Sequence, residues 1–421
     1  MTFLLKHTQP IGFEAIPSAA ILDIAVENGI ITAIGKDLSF PDASTIDLKG
    51  AYLAPGLMDM FCWNGDPGYE HRETISSLIQ TGLAGGFTDL ALLPNSRPVV
   101  DKKSMVDLLR EKGNGTGMHL HIYGALSEKA EGNELAELLD MHMGGAIAFS
   151  DGVHPVQSGA LLYRALEYAK IFNGLIVHSP SDRRVFTRGQ MHEGVVSTRL
   201  GLRGIPVADE MMALEQCLEL VRYTQSRLHL TGISSGRAVD RIRQAKAEGL
   251  PVTASVPVWN IAYTDEAVSD FNFHFKLDPP LRSEADRLAL IEGLKDGTLD
   301  AMYSQHIPWD PEKKNLEFPY SSAGSISLQT AFSLSIEALS PFLSLQDILK
   351  LWTSGPRRVL GLADAQLSEG IDIRAMAFAA DVSWTLSKEN NRSLSQNTPL
   401  WQKELKGKIV GTFSGKSINM L

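Results

Sequence analysis

The chain has 421 residues, 44% hydrophobic and 21% charged, which is enough for a large core and an ordinary globular composition. Its formal charge of -10 is spread without a basic run or stripe, which argues against a nucleic-acid partner. Cys62 and Cys217 stand far apart without CxxC spacing, and no apolar run approaches the ~20 residues of a membrane span, so disulfides, a thiolate zinc site and a membrane anchor are not expected. With no export signal at the N-terminus either, a cytoplasmic location is expected.

In chain order, Ile21-Leu-Asp-Ile-Ala-Val and Gly29-Ile-Ile-Thr-Ala-Ile-Gly read as short strands broken by Glu27-Asn-Gly, a small antiparallel β module. Apolar β-type runs then recur near Gly56–Asp59, Phe87–Leu93, Met118–Ala125, Ala146–Phe149, Leu175–Val177, Leu228–Thr231, Val252–Val256 and Asp300–Tyr303. Between them, Thr74–Leu83, Ala160–Ala169, Glu210–Tyr223 and Asp286–Leu294 place apolar residues at helical spacing.

Eight alternating β and α units predict a parallel sheet, and their number over one stretch favours a closed (β/α)8 barrel over an open doubly wound sheet, since no GxGxxG turn follows the first strand. After a helical stretch at Leu345–Leu362 the chain returns to β segments, Ala380–Trp384 and Gly407–Phe413. The expected organisation is a barrel over 54–363 and a composite β-sandwich built from 1–53 and 364–421.

Several motifs point further. Leu53-Ala-Pro-Gly-Leu-Met-Asp-Met, Gly85-Gly-Phe-Thr, Leu93-Pro-Asn-Ser-Arg-Pro, Ala148-Phe-Ser-Asp-Gly, Gly189-Gln-Met-His-Glu-Gly, Leu202-Arg-Gly-Ile-Pro, Asp278-Pro-Pro-Leu-Arg and Asp300-Ala-Met-Tyr-Ser-Gln-His-Ile-Pro occur in that order. Together they resemble the dihydroorotases and related cyclic amidohydrolases, a family with a metal-dependent barrel that opens or closes a cyclic amide. There one or two zinc ions polarise the carbonyl and activate a water.

The resemblance also shows what is missing. Where the family's first strand carries His-x-His, this chain has Phe61 and Trp63; where strand six supplies a histidine stands Gly232; and where strand eight supplies the metal-binding, proton-accepting aspartate stands Gln305. His178 is kept on strand five, and Asp151 remains at a strand-four position that in some relatives bridges metals. Among substrate contacts, the family's arginine is Gly65 and its asparagine before Pro-Pro-Leu-Arg is Asp278, while Asn95 is kept. Too few donors remain for tetrahedral zinc, so no cofactor is expected.

Phe61, Trp63, Trp259 and Trp309 are all expected near the C-terminal mouth of the barrel. His178 and His306 read either as metal ligands or as buried, hydrogen-bonded histidines, and Asn95 and Arg282 either as the outline of an anion-tolerant pocket or as structural residues. His119-Leu-His121 is the one intact HxH, readable as packing or as a relocated site.

The leading expectation is a non-catalytic dihydroorotase homologue with a structural or regulatory role in pyrimidine biosynthesis. By analogy with some bacterial relatives its partner would be aspartate transcarbamoylase, and it would itself be a homo-oligomer. Two rivals stay open: an active cyclic amidohydrolase with an altered or single-zinc site that uses His178, Asp151 and His306, and a sensor in which Trp63, Trp259 and Trp309 stack on a ring.

Overall fold

The computed structural model describes residues 2–13, 21–187 and 189–421. Residues 1 and 14–20, part of the expected sandwich, lie outside that set.

The eight expected runs form one parallel sheet: Leu57–Cys62, Phe87–Leu92, His119–Gly124, Ala148–Phe149, Ile176–His178, Leu228–Leu230, Val252–Pro257 and Ala301–Tyr303, each beside the next. They are called here the first to eighth barrel strands. Between the first and eighth, single bonds replace a ladder. Met58 and Met302 donate their backbone N–H groups to Trp352 O and Leu351 O at 2.7 and 3.0 Å, and near the mouth Ser304 N–H donates to the Asp59 carboxylate at 3.0 Å. Burial pushes the Asp59 carboxyl pKa up, against the opposing hydrogen bonds from Ser304.

Those Leu351 and Trp352 carbonyls are free because the helical stretch expected over Leu345–Leu362 is two helices, Leu345–Lys350 and Ser354–Leu360. The break at Thr353, φ -122° and ψ -87°, leaves carbonyls unspent by helix bonds, and the barrel seam takes them.

The surrounding helices follow the apolar spacing. Ile75–Ala84 starts at a capping box between Thr74 and Ser77 and turns Ile75, Leu78, Ile79 and Leu83 onto the sheet. Each such buried side chain contributes roughly 1.5–3 kcal/mol, so Leu78→Ala breaks this face first. Ser158, Ser235 and Ser283 cap three further helices, each side chain accepting from the backbone N–H three residues on.

Both chain ends build a second sheet, in the order Ser417–Met420, Glu404–Ser414, Arg374–Thr385, Tyr52–Pro55, Thr2–Pro10, Leu22–Glu27 and Ile30–Gly35, with Ser44–Asp47 also on Thr2–Pro10. It folds over a core of Phe3, Leu5, Ile24, Val26, Leu53, Ile373 and Phe413, where the Phe3 and Phe413 rings stack 6.1 Å apart. Tyr52–Pro55, paired with Arg374–Thr385, joins the two ends, and Thr2–Pro10, absent from the strands expected above, ties the N-terminal strands together.

Candidate functional site

The C-terminal ends of the barrel strands surround a cavity of about 440 Å³ whose walls include Phe61, Trp63, Tyr69, Arg72, Tyr303 and Trp309. Trp63 is anchored by its backbone N–H on His306 O at 3.3 Å, and Phe61 packs on Tyr303 with ring centres 5.1 Å apart. Tyr303 is fully buried, and burial raises its hydroxyl pKa. Its hydroxyl also bears on Gly232: a Cβ there would lie 3.5 Å from Tyr303 Oη and 3.1 Å from Ser179 Oγ. Gly232 has φ +77°, a backbone that disfavours any L side chain, so the strand-six position is shaped against a histidine as well as lacking one.

The loop after the first strand brings Arg72 into the same space. Its guanidinium lies between two indoles, 3.8 Å from the Trp63 ring centre and 3.6 Å from that of Trp309. Arg72 Nε and Nη2 both donate to Pro308 O, at 2.8 and 2.6 Å, and Trp309 Nε1 donates to Ala323 O at 2.8 Å. Burial pulls the Arg72 pKa down to about 10, so the group stays charged at neutral pH.

The polar residues singled out by sequence meet in two pairs, Gln305 with Asp278 and Asn95 with Asp151, and of these Asn95 and Asp278 wall the cavity. His178 is buried, its pKa is pulled down by burial to about 4, and its ring makes no hydrogen bond among the described residues. Gln305, with φ +56°, donates from Nε2 to Asp278 O at 2.6 Å. Asp278 pairs with Arg183 at the cavity rim. Asn95 spends both ends of its amide on the strand-four loop, donating to Asp151 O at 3.0 Å and accepting from Val153 N–H at 3.1 Å. Gly152 permits this contact, since a Cβ there would fall 1.9 Å from Asn95 Oδ1.

Asp151 does not line the cavity; it accepts from the Ser127 backbone N–H at 2.9 Å and from the Ser127 hydroxyl. Burial pushes its carboxyl up to about 6 despite those bonds. His306 accepts at Nδ1 from the Ser327 and Leu328 N–H groups at 3.2 and 3.3 Å, which leaves Nε2 protonated and 3.5 Å from the buried Glu73 carboxylate.

One expectation needs correction, and two readings left open fall on their structural side. Trp259 does not wall the cavity: it sits on the short helix Val258–Ala262, packed against Tyr263 and Phe275 with ring centres 5.9 and 6.3 Å away, because that helix turns it into the layer outside the barrel. Arg282 outlines no open anion site there. Its guanidinium is spent on Ser234 Oγ, His192 and Ile205 O, and stands 3.7 Å from the Glu210 carboxylate. His119 and His121 start the third strand, at the floor of the barrel, where His121 Nε2 meets Asp89 Oδ1 at 2.9 Å.

Set against a zinc site, the mouth offers a poor donor set. Phe61 and Trp63 carry no donor atom suited to zinc, Gly232 has no side chain, Gln305 is turned to Asp278 and Asp151 to Ser127. Among the described residues no three His, Cys, Asp or Glu side chains are grouped to hold a metal ion. Arg72, Tyr303 and Glu73 were missed from the sequence. So was the segment 393–397 that straps the mouth: the Ser393 hydroxyl donates to Glu73, Ser395 Oγ donates to Arg72 O at 2.9 Å, and Asn397 Nδ2 donates to Ile307 O at 3.0 Å. The signal available was the spacing of Trp63, Arg72 and Trp309, which only the fold brings together.

The architecture matches an L-hydantoinase (dihydropyrimidinase) from Arthrobacter aurescens with a TM-score of 0.86, 20% identity and coverage of 99% of this chain and 96% of that one. A dihydropyrimidinase from Brevibacillus agri matches with a TM-score of 0.82 and 18% identity over 99% of this chain and 95% of that one. These likenesses define the fold, an eight-stranded parallel barrel with a second sheet beside it. A dihydro-orotase-like family profile matches residues 50–237. A protein of Syntrophotalea carbinolica named dihydroorotase is 38% identical over 393 residues, 93% of this chain and 92% of its own. A protein of Syntrophus aciditrophicus with the same name is 38% identical over 395 residues, 93% of each. The chain belongs to the dihydroorotase-like family of cyclic amidohydrolases. No helix among its described residues is long and apolar enough to cross a membrane.

Proposed function

We propose that this family member does not hydrolyse cyclic amides and acts as a structural or regulatory protein of pyrimidine biosynthesis. The observation that carries this reading is Arg72, a cation stacked between Trp63 and Trp309 in the cavity where a metal-dependent relative needs its ligands. A fixed positive charge there opposes a divalent cation, and Phe61, Trp63 and Gly232 supply nothing to offset it. At the strand-eight position Gln305 is neutral and offers no general base, and the Asp278 carboxylate is held by Arg183.

The partner proposed from the family resemblance is aspartate transcarbamoylase. Light scattering after size exclusion, on the chain alone and mixed with that enzyme from the same cell, is expected to give a homo-oligomer and then a larger joint species; separate elution denies the partner.

The second reading is a working cyclic amidohydrolase with an altered site, favoured by the 38% identity to proteins named dihydroorotase. Zinc content after growth in zinc, with dihydroorotate hydrolysis assayed on the same sample, separates the two. Substoichiometric zinc without turnover is expected. Zinc bound one to one with turnover that is lost on removing the metal would establish the second reading.

A further inference from the structure

Arg72 is 6% exposed, and no carboxylate lies within ion-pair distance of it among the described residues. The two indole faces, Pro308 O and the charge of the Asp310 carboxylate beyond ion-pair distance compensate its charge only in part. A buried cation in that state gains most from an anion that also hydrogen-bonds it. Beyond the two N–H groups bound to Pro308, its remaining donors make no hydrogen bond among the described residues, and Arg72 lines the cavity.

The charge of the walls points the same way. Two guanidiniums, Arg72 and Arg183, face one carboxylate, Asp278, which is already tied to Arg183. His154, also on the wall, has its basicity lowered by burial. The rest of the lining is largely flat and apolar: Phe61, Tyr69, Tyr303, Val153 and Ile307. A cavity of about 440 Å³ holds a small molecule, and mostly apolar walls with one convergent charge are the usual build of such a site.

We propose that the mouth binds a small organic monoanion, a carboxylate carried on a flat apolar group, with the carboxylate against Arg72 and with neither metal nor turnover. The inference rests on the metal-free reading of the mouth and adds to it a ligand class and the residue that selects it.

The test is isothermal titration of the full chain in EDTA with three probes: benzoate, its neutral isostere benzamide, and acetate, which has the charge without the ring. Benzoate is expected to bind at least about tenfold tighter than either of the others, and more weakly as salt is raised. In Arg72→Met the preference for benzoate over benzamide should fall to about twofold or less. If that variant does not fold, the wild-type selectivity and its salt dependence still decide. Arg183→Gln, at the exposed rim, should keep most of the selectivity.

Equal binding of benzoate and benzamide overturns the inference, as does no heat from any probe at millimolar concentration. Failure with or without added zinc overturns this inference alone. Benzoate binding that vanishes in EDTA and returns with zinc overturns it together with the metal-free reading.

Discussion

The two ends of the barrel treat buried charge in opposite ways. At the floor, the Asp89 carboxylate accepts from His121 Nε2 at 2.9 Å, Arg357 Nη2 at 2.7 Å and Thr88 Oγ1 at 2.8 Å, with Arg374 3.8 Å away. Arg357 also donates to Gly56 O at 3.1 Å and so ties the last barrel helix to the entry of the first strand. At the mouth, Arg72 has indole faces and a carbonyl in place of a carboxylate. A closed network of opposite charges has no need of a ligand, whereas a cation beside a cavity without a paired carboxylate gains from one.

Breaking the floor network should have the largest effect. Arg357→Ala leaves Asp89 buried with a weakened set of partners, and about 3–5 kcal/mol of stability is expected to go, read as a fall in the thermal midpoint. A loss below about 1 kcal/mol would place the floor among ordinary surface pairs. Burial works against the Asp89 charge, but the His121 hydrogen bond and the Arg357 charge win and hold its carboxyl well below the usual carboxylate range. That stability is therefore present above the ordinary carboxylate pKa and is lost only as pH falls through the depressed value.

Two groups nearer the mouth sharpen the comparison because their pH effects oppose. His178, with a folded pKa of about 4, is neutral where the unfolded chain is protonated, so it removes stability as pH falls from about 6.5 to 4, by about 3 kcal/mol in all. Asp151, raised to about 6, has the contrary sign: the folded state holds its proton first, so stability from this group is present at low pH and lost as pH rises through 6. Chemical denaturation at pH 4, 5 and 6 should then show a shallow slope in the wild type. His178→Asn is expected to turn the slope toward greater stability in acid, and Asp151→Asn to steepen the acid loss. Unchanged slopes in both variants would refute the assigned environments.

The fold was legible because it is written in repetition. Eight apolar runs alternating with helical spacing leave few topologies, and the cap residues Thr74, Ser158 and Ser283 mark where helices begin. The reading of Phe61, Trp63, Gly232 and Gln305 as departures from a pattern rests on the recognisable run in which each stands. What replaced the pattern was not. The meeting of Arg72 with Trp309 spans 237 positions, and Tyr303 reaches Gly232 only through closure of the barrel. Trp259 misled for the same reason: its side of a five-residue helix is set by packing on Tyr263 and Phe275, which no local period encodes.

Lys314 tests the asymmetry once more. It ends the short helix Pro311–Lys314 beyond Trp309, fully buried, its ammonium held by Ser322 O at 2.9 Å with Lys276 O at 3.5 Å and no carboxylate in ion-pair range among the described residues. Burial first, and then the neighbouring charge of Lys276, pull its pKa down to about 7. The unfolded lysine titrates near 10.4, so between about 7 and 10.4 the unfolded state binds the extra proton and stability rises with pH. Lys314→Met keeps the volume and removes the charge; it should flatten that alkaline rise and leave stability at pH 7 unchanged or higher by up to about 4 kcal/mol. A loss of several kcal/mol instead would mean that the ammonium is a required clasp for the loop, and that the mouth compensates its cations as fully as the floor does.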